Sequence, residues 1–360
     1  MGISWSWSWS ITELELKLEH YGVRGLPLKL LSSFLEGRSQ FTTVNGSNSQ
    51  YLPITCGVPQ GSVLGPFMFL VFINDLFSST KLSTTLFADD AAVLYSNRSP
   101  SIVQETVNNE LEKISGWMNK NKLKLNTGKT NYLLIHNKKQ SYNINLKINN
   151  KEIQCLNTIK YLGVVIDHRL SWKPHIEYIR NKVSKCMWAI TKLRRYTNIK
   201  SLKLVYYSLA HPHLTYCIST WGSSPESSLK PLVVKQKRLI RIMLYQPFRC
   251  HTKPLFHQLQ ILNLNQLHHF QVGKIMHNYH KKKTNINVNL ELLTNKHSHN
   301  TRSAVDSNYF LPNFRTNLGM NSLSSIGPQV WNSIPTNIKS LPAHLFKNKY
   351  KQYMLDSNML

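Results

Sequence analysis

Residues 86–95, Leu-Phe-Ala-Asp-Asp-Ala-Ala-Val-Leu-Tyr, set two adjacent carboxylates, Asp89 and Asp90, inside an otherwise apolar segment. The apolar runs on either side read as two strands of a β-hairpin, with the acids at its tight end. Neighbouring carboxylates repel, and removing them from water is costly unless a cation compensates both. Mg²⁺ is the natural counter-charge, because it is held by one or two carboxylates together with substrate phosphates. The alternative is a plain Asp-Asp turn with no metal, since Asp is common in turns. On the pair alone, both readings stand.

Acids are scarce elsewhere. The chain of 360 residues carries 44 Lys+Arg against 17 Asp+Glu, a formal net charge of +27 that points to a polyanionic partner. Residues 178–360 hold 26 of the basic residues and only four acids (Glu226, Glu291, Asp306 and Asp356), so the grip on an anion belongs mainly to the second half. A hydrophobic fraction of 41% is enough to bury a core, and the length fits two or three compact units. Five scattered cysteines with no C-x-x-C pair read as reduced and intracellular. His211, His213 and Cys217 form H-x-H-x-x-x-C, but no second ligand pair follows, so they read as ordinary helix residues. No apolar run approaches the roughly 18 residues of a membrane span, and no signal peptide is visible.

The order of elements is mixed first and helical later. Residues 13–36 read as a helix or helix pair broken at Gly22, Gly25 and Pro27, and 40–54 as polar strands turning at Asn45-Gly46. Cys56–Pro66 is a Gly/Pro-punctuated loop where backbone can approach a ligand closely. It leads into a helix over Phe67–Phe77 that is apolar nearly all round, and is therefore expected to be buried. Ser99-Pro100 starts a second helix with one stripe formed by Ile102, Val103, Val107, Leu111, Ile114 and Met118. Short strands follow around 123–125, 132–135, 144–148 and 161–166, then helices over roughly 174–197, 200–210, 228–245 and 265–280. Residues 281–325, rich in Asn, Ser, Lys and His, read as a linker. A compact tail with Trp331 and a last helix near 345–355 closes the chain.

Taken in order, Gly57-Val-Pro-Gln-Gly-Ser-Val-Leu-Gly-Pro66, Phe69-Leu-Val-Phe-Ile-Asn-Asp-Leu76 and Leu86-Phe-Ala-Asp-Asp90 resemble reverse transcriptases, with the spacing of the non-LTR (LINE-type, jockey-like) retrotransposon group. The likeness continues through Leu123–Thr130, Lys160–Asp167, His211–Cys217 and Gly327–Pro335. Five motifs in fixed order move the reading of Asp89 and Asp90 from a turn to a metal site. The resemblance implies an α+β right-hand polymerase. Its division would be a low-complexity start over 1–12, a partial palm over 13–170 (antiparallel sheet with packed helices), a basic helical thumb over 171–280, the linker, and a C-terminal tail over 326–360. It implies RNA-directed DNA synthesis by two-metal nucleotidyl transfer, with an RNA template, a DNA primer and deoxynucleotide triphosphates as partners and a nuclear location.

The resemblance also implies roles. Asp89 would be the direct Mg²⁺ ligand and Asp90 its support, while Pro59, Gln60 and Gly61 would lie against the templating base and the incoming nucleotide. Lys129 would sit near the leaving pyrophosphate, although one more surface lysine is the equal alternative. Tyr161, Leu162 and Gly163 would support the primer end. One departure matters. The family's other catalytic Asp lies on a strand before the helix read here as Leu16–Gly22, yet residues 1–12 contain no Asp or Glu. The sequence therefore reads as an N-terminally truncated member holding at most one ion, lacking fingers and activity. The alternative is a non-catalytic nucleic-acid-binding remnant. A group II intron maturase or a telomerase fits less well, because of the tail around Trp331.

Overall fold

A computed structural model describes residues 2–3, 5–6, 11–54, 56–59, 61–136, 142–284, 288, 290–295 and 307–356, arranged in two compact units, Met1–Tyr161 and Leu162–Leu360. The first unit opens with β1 (Gly2–Ile3) and β2 (Trp5–Ser6), then α1 (Ile11–His20) and α2 (Leu26–Leu35). The break between the helices falls at Gly22 and Gly25, both with positive φ, and Pro27 stands in the first turn of α2. Two small hairpins follow, β3 (Ser39–Gln40) with β6 (Leu52–Pro53) and β4 (Thr43–Val44) with β5 (Ser47–Asn48). The inner one closes through Asn45 and Gly46, whose φ values of 51° and 82° are those a tight two-residue turn demands.

Next come α3 (Leu64–Ile73), a 3₁₀ turn (Asn74–Ser79), the hairpin β7 (Ser83–Phe87) and β8 (Asp90–Leu94), and α4 (Pro100–Lys120). Short strands complete the unit: β9 (Lys124–Leu125), β10 (Asn131–Tyr132), β11 (Lys147–Ile148), β12 (Lys151–Glu152), β13 (Gln154–Cys155) and β14 (Thr158–Tyr161). The main sheet runs β13-β10-β1-β8-β7, antiparallel except for the β10–β13 pair. Its core gathers Leu14 and Leu18 of α1, Met68 and Phe72 of α3, Ala91 and Val93 of β8, and Leu111, Ile114 and Met118 of α4.

Two features correct the expectations. On α3, Met68, Phe69, Phe72 and Ile73 are buried, but Phe67 and Leu70 are 50% and 55% exposed, so the helix is not enclosed all round. Ile102, at the N-terminal end of the α4 stripe, is also exposed, because the core is reached only from Val103 onward. Helices α1, α3 and α4 are tied by Lys17, whose Nζ meets Asp75 Oδ1 at 2.7 Å, donates to the Phe72 carbonyl at 2.7 Å, and lies 4.9 Å from the Trp117 ring centroid.

Buried Glu110 is a second lock. It accepts hydrogen bonds from Lys113 Nζ at 2.6 Å, Lys81 N at 2.7 Å and Thr80 Oγ1 at 2.8 Å, fixing the turn before β7 to α4. These bonds, the Lys113 ammonium foremost, hold its carboxyl down at about 2. A carboxyl depressed in the folded state stabilises above its unfolded pKa, and that contribution is lost as pH falls from about 4.5 toward 2. Glu110→Gln is expected to destabilise the unit by about 2 kcal/mol at pH 7. The difference from wild type should shrink through this window, as urea titrations at pH 7 and pH 3 would record.

The second unit opens with β15 (Val164–Asp167) and α5 (Lys173–Leu193). Asp167 joins them, its Oδ1 accepting from Trp172 N at 2.9 Å and its Oδ2 from Ser171 N at 3.1 Å. Helix α6 (Ile199–Val205) passes through a π-turn (Tyr206–Ala210) into α7 (His211–Thr215), followed by α8 (Ile218–Trp221) and α9 (Glu226–Met243). After α10 (Lys253–Leu259), α11 (Leu264–His280) starts with a capping box between Asn263 and Gln266. Helices Leu323–Asn332 and Ala343–Asp356 pack on α11. Trp221, Tyr206, Trp331 and Phe346 are the largest side chains in this core. Within the polar stretch 281–325, Tyr309 is 3% exposed and exchanges backbone hydrogen bonds with the Asn332 side chain. No helix among the described residues is long and apolar enough to cross a membrane.

Candidate active site

The β7–β8 hairpin pairs Phe87 with Asp90, which leaves Ala88 and Asp89 as its two-residue turn. Ala88 takes φ 50°, the left-handed conformation that a tight hairpin turn requires. Along β8, Ala91 and Val93 point into the core, while Asp90 and Leu94 are exposed on the other face. Asp89 is exposed as well. Neither carboxylate is ion-paired among the described residues. The strand beside β8 is β1, where Ile3 pairs with Ala91 and Gly2 with Ala92.

The loop before α3 is braced from two sides. Arg38 Nη2 donates to the Gly57 carbonyl at 2.8 Å, and its Nε to the Leu35 carbonyl at 2.8 Å. Ser62 Oγ donates to the Pro59 carbonyl at 2.8 Å and accepts from Gly65 N at 3.0 Å, which closes the loop onto the start of α3. Gly61 has φ 82°, so a side chain there would be strained. A Cβ on Gly65 would lie 3.1 Å from Ser62 Oγ and 3.2 Å from the Pro59 carbonyl oxygen, so a side chain there would press on the loop.

Loop and hairpin enclose one cavity of about 670 Å³. Its lining includes Pro59, Gly61, Gly65 and Pro66 from the loop and the start of α3, Phe69 and Leu70 from α3, and Ala88 and Asp89 from the hairpin turn. Of the exposed α3 residues Phe67 and Leu70, Leu70 lines this cavity and Phe67 does not. Gln60 lies outside the described residues. Tyr161, at the end of β14, brings its hydroxyl close enough to Asp90 to be affected by its charge. Burial, and then Asp90, push this hydroxyl above the ordinary tyrosine range, and it has no hydrogen-bond partner.

Other expected site residues do not line this cavity. Lys129 is exposed in a turn held by Asn126, whose Oδ1 accepts from Lys129 N at 3.2 Å, and it makes no ion pair with a described residue. Leu162 and Gly163 belong to the second unit, where φ is 44° and 80°. Tyr216 supports that turn: its hydroxyl donates to the Leu162 carbonyl at 2.7 Å, and a Cβ on Gly163 would lie 3.4 Å from its ring. His211 is a packed histidine set 4.9 Å from the Tyr207 ring, and burial lowers its pKa to about 4. Among the described residues no group of three or more His, Cys, Asp or Glu is placed to share a metal ion. Sequence reasoning missed Arg38, Lys17 and Asp75. Only Asp75 had a signal, its place in the Phe69–Leu76 motif.

Residues 10–166 match the family described as reverse transcriptase (RNA-dependent DNA polymerase). This segment belongs to the reverse transcriptase family. The RNA-directed DNA polymerase from mobile element jockey of Drosophila melanogaster is 28% identical over 247 residues, covering 65% of this chain and 27% of that protein. The probable RNA-directed DNA polymerase from transposon X-element of the same species is 28% identical over 225 residues, covering 59% of this chain and 24% of that protein. A retrovirus-related Pol polyprotein from the type-1 retrotransposable element R1 2 of Nasonia vitripennis is 26% identical over 176 residues, covering 46% and 43%. The chain thus spans about a quarter of the length of the first two relatives. The reverse transcriptase segment contains the hairpin, the braced loop and the cavity between them.

Proposed function

We propose that the chain is the palm, thumb and C-terminal part of a non-LTR retrotransposon RNA-directed DNA polymerase, and that the 670 Å³ cavity receives the incoming deoxynucleotide. The observation that carries this reading is the cavity itself, whose lining includes both Asp89 and the loop residues Pro59 and Gly61. Two adjacent exposed carboxylates without an internal cation offer the hard oxygen donors that suit Mg²⁺. Bound there with nucleotide phosphates, Mg²⁺ would stabilise the charge that develops at phosphorus. Asp89 would hold the metal directly and Asp90 would support it. Gly61 lets base and backbone come close, and Phe69 and Leu70 give the base an apolar floor. Tyr161, whose hydroxyl the charge of Asp90 reaches, would support the primer end. In a polymerase with both metal-ligand strands, the primer 3′-hydroxyl would lose its proton to solvent and attack the α-phosphate, the α–β phosphoanhydride bond would break, and pyrophosphate would leave past Lys129. Nuclear residence belongs to the same reading.

A fluorescent deoxynucleotide triphosphate titrated with and without Mg²⁺ tests the site. Asp89→Asn is expected to remove the Mg²⁺-dependent part of binding, weakening it by about tenfold or more. Gly61→Val should abolish binding with and without the metal. Equal binding by wild type and both variants would overturn the assignment.

A second reading, nucleic-acid binding without catalysis, is favoured by the 26 basic against four acidic residues over 178–360. It predicts RNA affinity that falls steeply with salt, through counterion release.

A further inference from the structure

We infer that the joined ends of α5 and α9 form a stacking surface for unpaired bases of single-stranded nucleic acid, an inference that rests on the nucleic-acid reading of the second unit. Trp188 is 67% exposed, Tyr196 84%, Tyr245 59% and Phe248 70%, four large rings in water where a core would normally claim them. They alternate with cations. Lys192 lies one turn beyond Trp188 on α5, its ammonium 5.9 Å from the Trp188 ring, and Arg195 continues the same face. The Arg194 guanidinium sits 4.8 Å from the Tyr245 ring centroid and donates to the Ile242 carbonyl at 3.3 Å, while the Tyr245 hydroxyl bonds to the Arg194 carbonyl. This clasp fixes the end of α9 against the end of α5, so that Tyr196 and Tyr245 belong to one patch. Arg241 extends it, 5.9 Å from the Phe248 ring.

The charge decides the sign of the partner. Between residues 178 and 250 the sequence holds 14 Lys/Arg and one acid, Glu226, which stands at the opposite end of α9. Cations alone would hold any phosphate backbone. Exposed rings interleaved with them add something only for bases whose faces are free, and a duplex hides those faces in its stack. An anionic membrane is the poorer fit, since α5 exposes Lys185 and Lys192 around Trp188, with Arg195 in the turn beyond, and Leu193 alone makes no aliphatic stripe.

The test uses the full 360-residue chain with a labelled 20-nucleotide single-stranded RNA, the corresponding blunt RNA duplex and anionic vesicles, each at two salt concentrations. Wild type is expected to prefer the single strand. Trp188→Ala with Tyr196→Ala should weaken single-strand binding roughly 30-fold or more. The salt slope and the duplex affinity should stay unchanged, and Trp188→Phe with Tyr196→Phe should retain binding. Lys192→Gln with Arg195→Gln should weaken both RNA forms and flatten the salt slope. Both aromatic sites are exposed, so a matching circular dichroism spectrum confirms that the variants fold. The stacking surface is overturned if the alanine variant keeps single-strand affinity within twofold, loses duplex affinity equally, or if vesicles outcompete RNA. A wild type that binds neither RNA form overturns the nucleic-acid reading itself.

Discussion

Primer extension on an RNA template is expected to stay at background for the 360-residue chain, with Mg²⁺ or Mn²⁺. Two-metal transfer needs ions about 3.5–4 Å apart, clamped by carboxylates from separate strands. Here Asp89 and Asp90 lie at one turn, and the strand beside β8 is Gly2–Ile3, in a stretch where residues 1–12 contain no acid. Of the next acids, Glu13 is engaged by Lys122 at 3.2 Å. One carboxylate pair aligns one ion and leaves the attacking hydroxyl unactivated. Fusing to this chain a strand that carries a second metal-binding Asp, positioned beside β8, should switch extension on. In that fusion Asp89→Ala is expected to lower the rate about 10³-fold, roughly 4 kcal/mol of transition-state stabilisation. Robust extension by the 360-residue chain itself would move the first metal ligand to Glu13 or Glu15.

Trp331→Ala is expected to destabilise the second unit by about 4 kcal/mol. Trp331 is fully buried, its Nε1 donates to the Ser307 carbonyl at 3.0 Å, and its ring lies 5.0 Å from that of His280 and 6.4 Å from that of Tyr309. Truncation opens a cavity among these rings, strands the Ser307 carbonyl, and removes the ring that faces the Lys339 ammonium at 5.6 Å. For a unit of this size the midpoint of thermal unfolding should fall by roughly 8–16 °C, read by circular dichroism. Trp331→Phe should recover about half of the loss, because it refills volume without restoring the indole donor. A shift below 2 °C for the alanine variant would show that Trp331 is not part of the cooperative core.

The candidate site was legible in parts. Asp89 and Asp90 stood out because two acids interrupt an apolar run, and the loop stood out because glycine and proline punctuate it. That the loop and the turn close around one cavity was not legible, since Phe69 and Leu70 on α3 look like any buried apolar residues until their surroundings are known. The composition of 281–325 averages over its one deeply buried aromatic, Tyr309, and so carries no trace of the two hydrogen bonds that Asn332 makes to it.

By itself, the sequence determined what depends on a few neighbouring residues. The Asn45-Gly46 turn, the start of α4 at Pro100 and a hairpin at the Asp pair follow from local backbone preferences and side-chain alternation, although the turn itself is Ala88-Asp89 and Asp90 already belongs to β8. It also determined the excess of positive charge, which no fold can cancel. Only the tertiary structure decided that Glu110 would be buried against Thr80 and Lys81, and that Tyr216 would support Leu162. Those contacts join residues 29 to 54 positions apart. A side chain's surroundings at such separations are set by how elements pack together, and that packing is a cooperative property of the whole core.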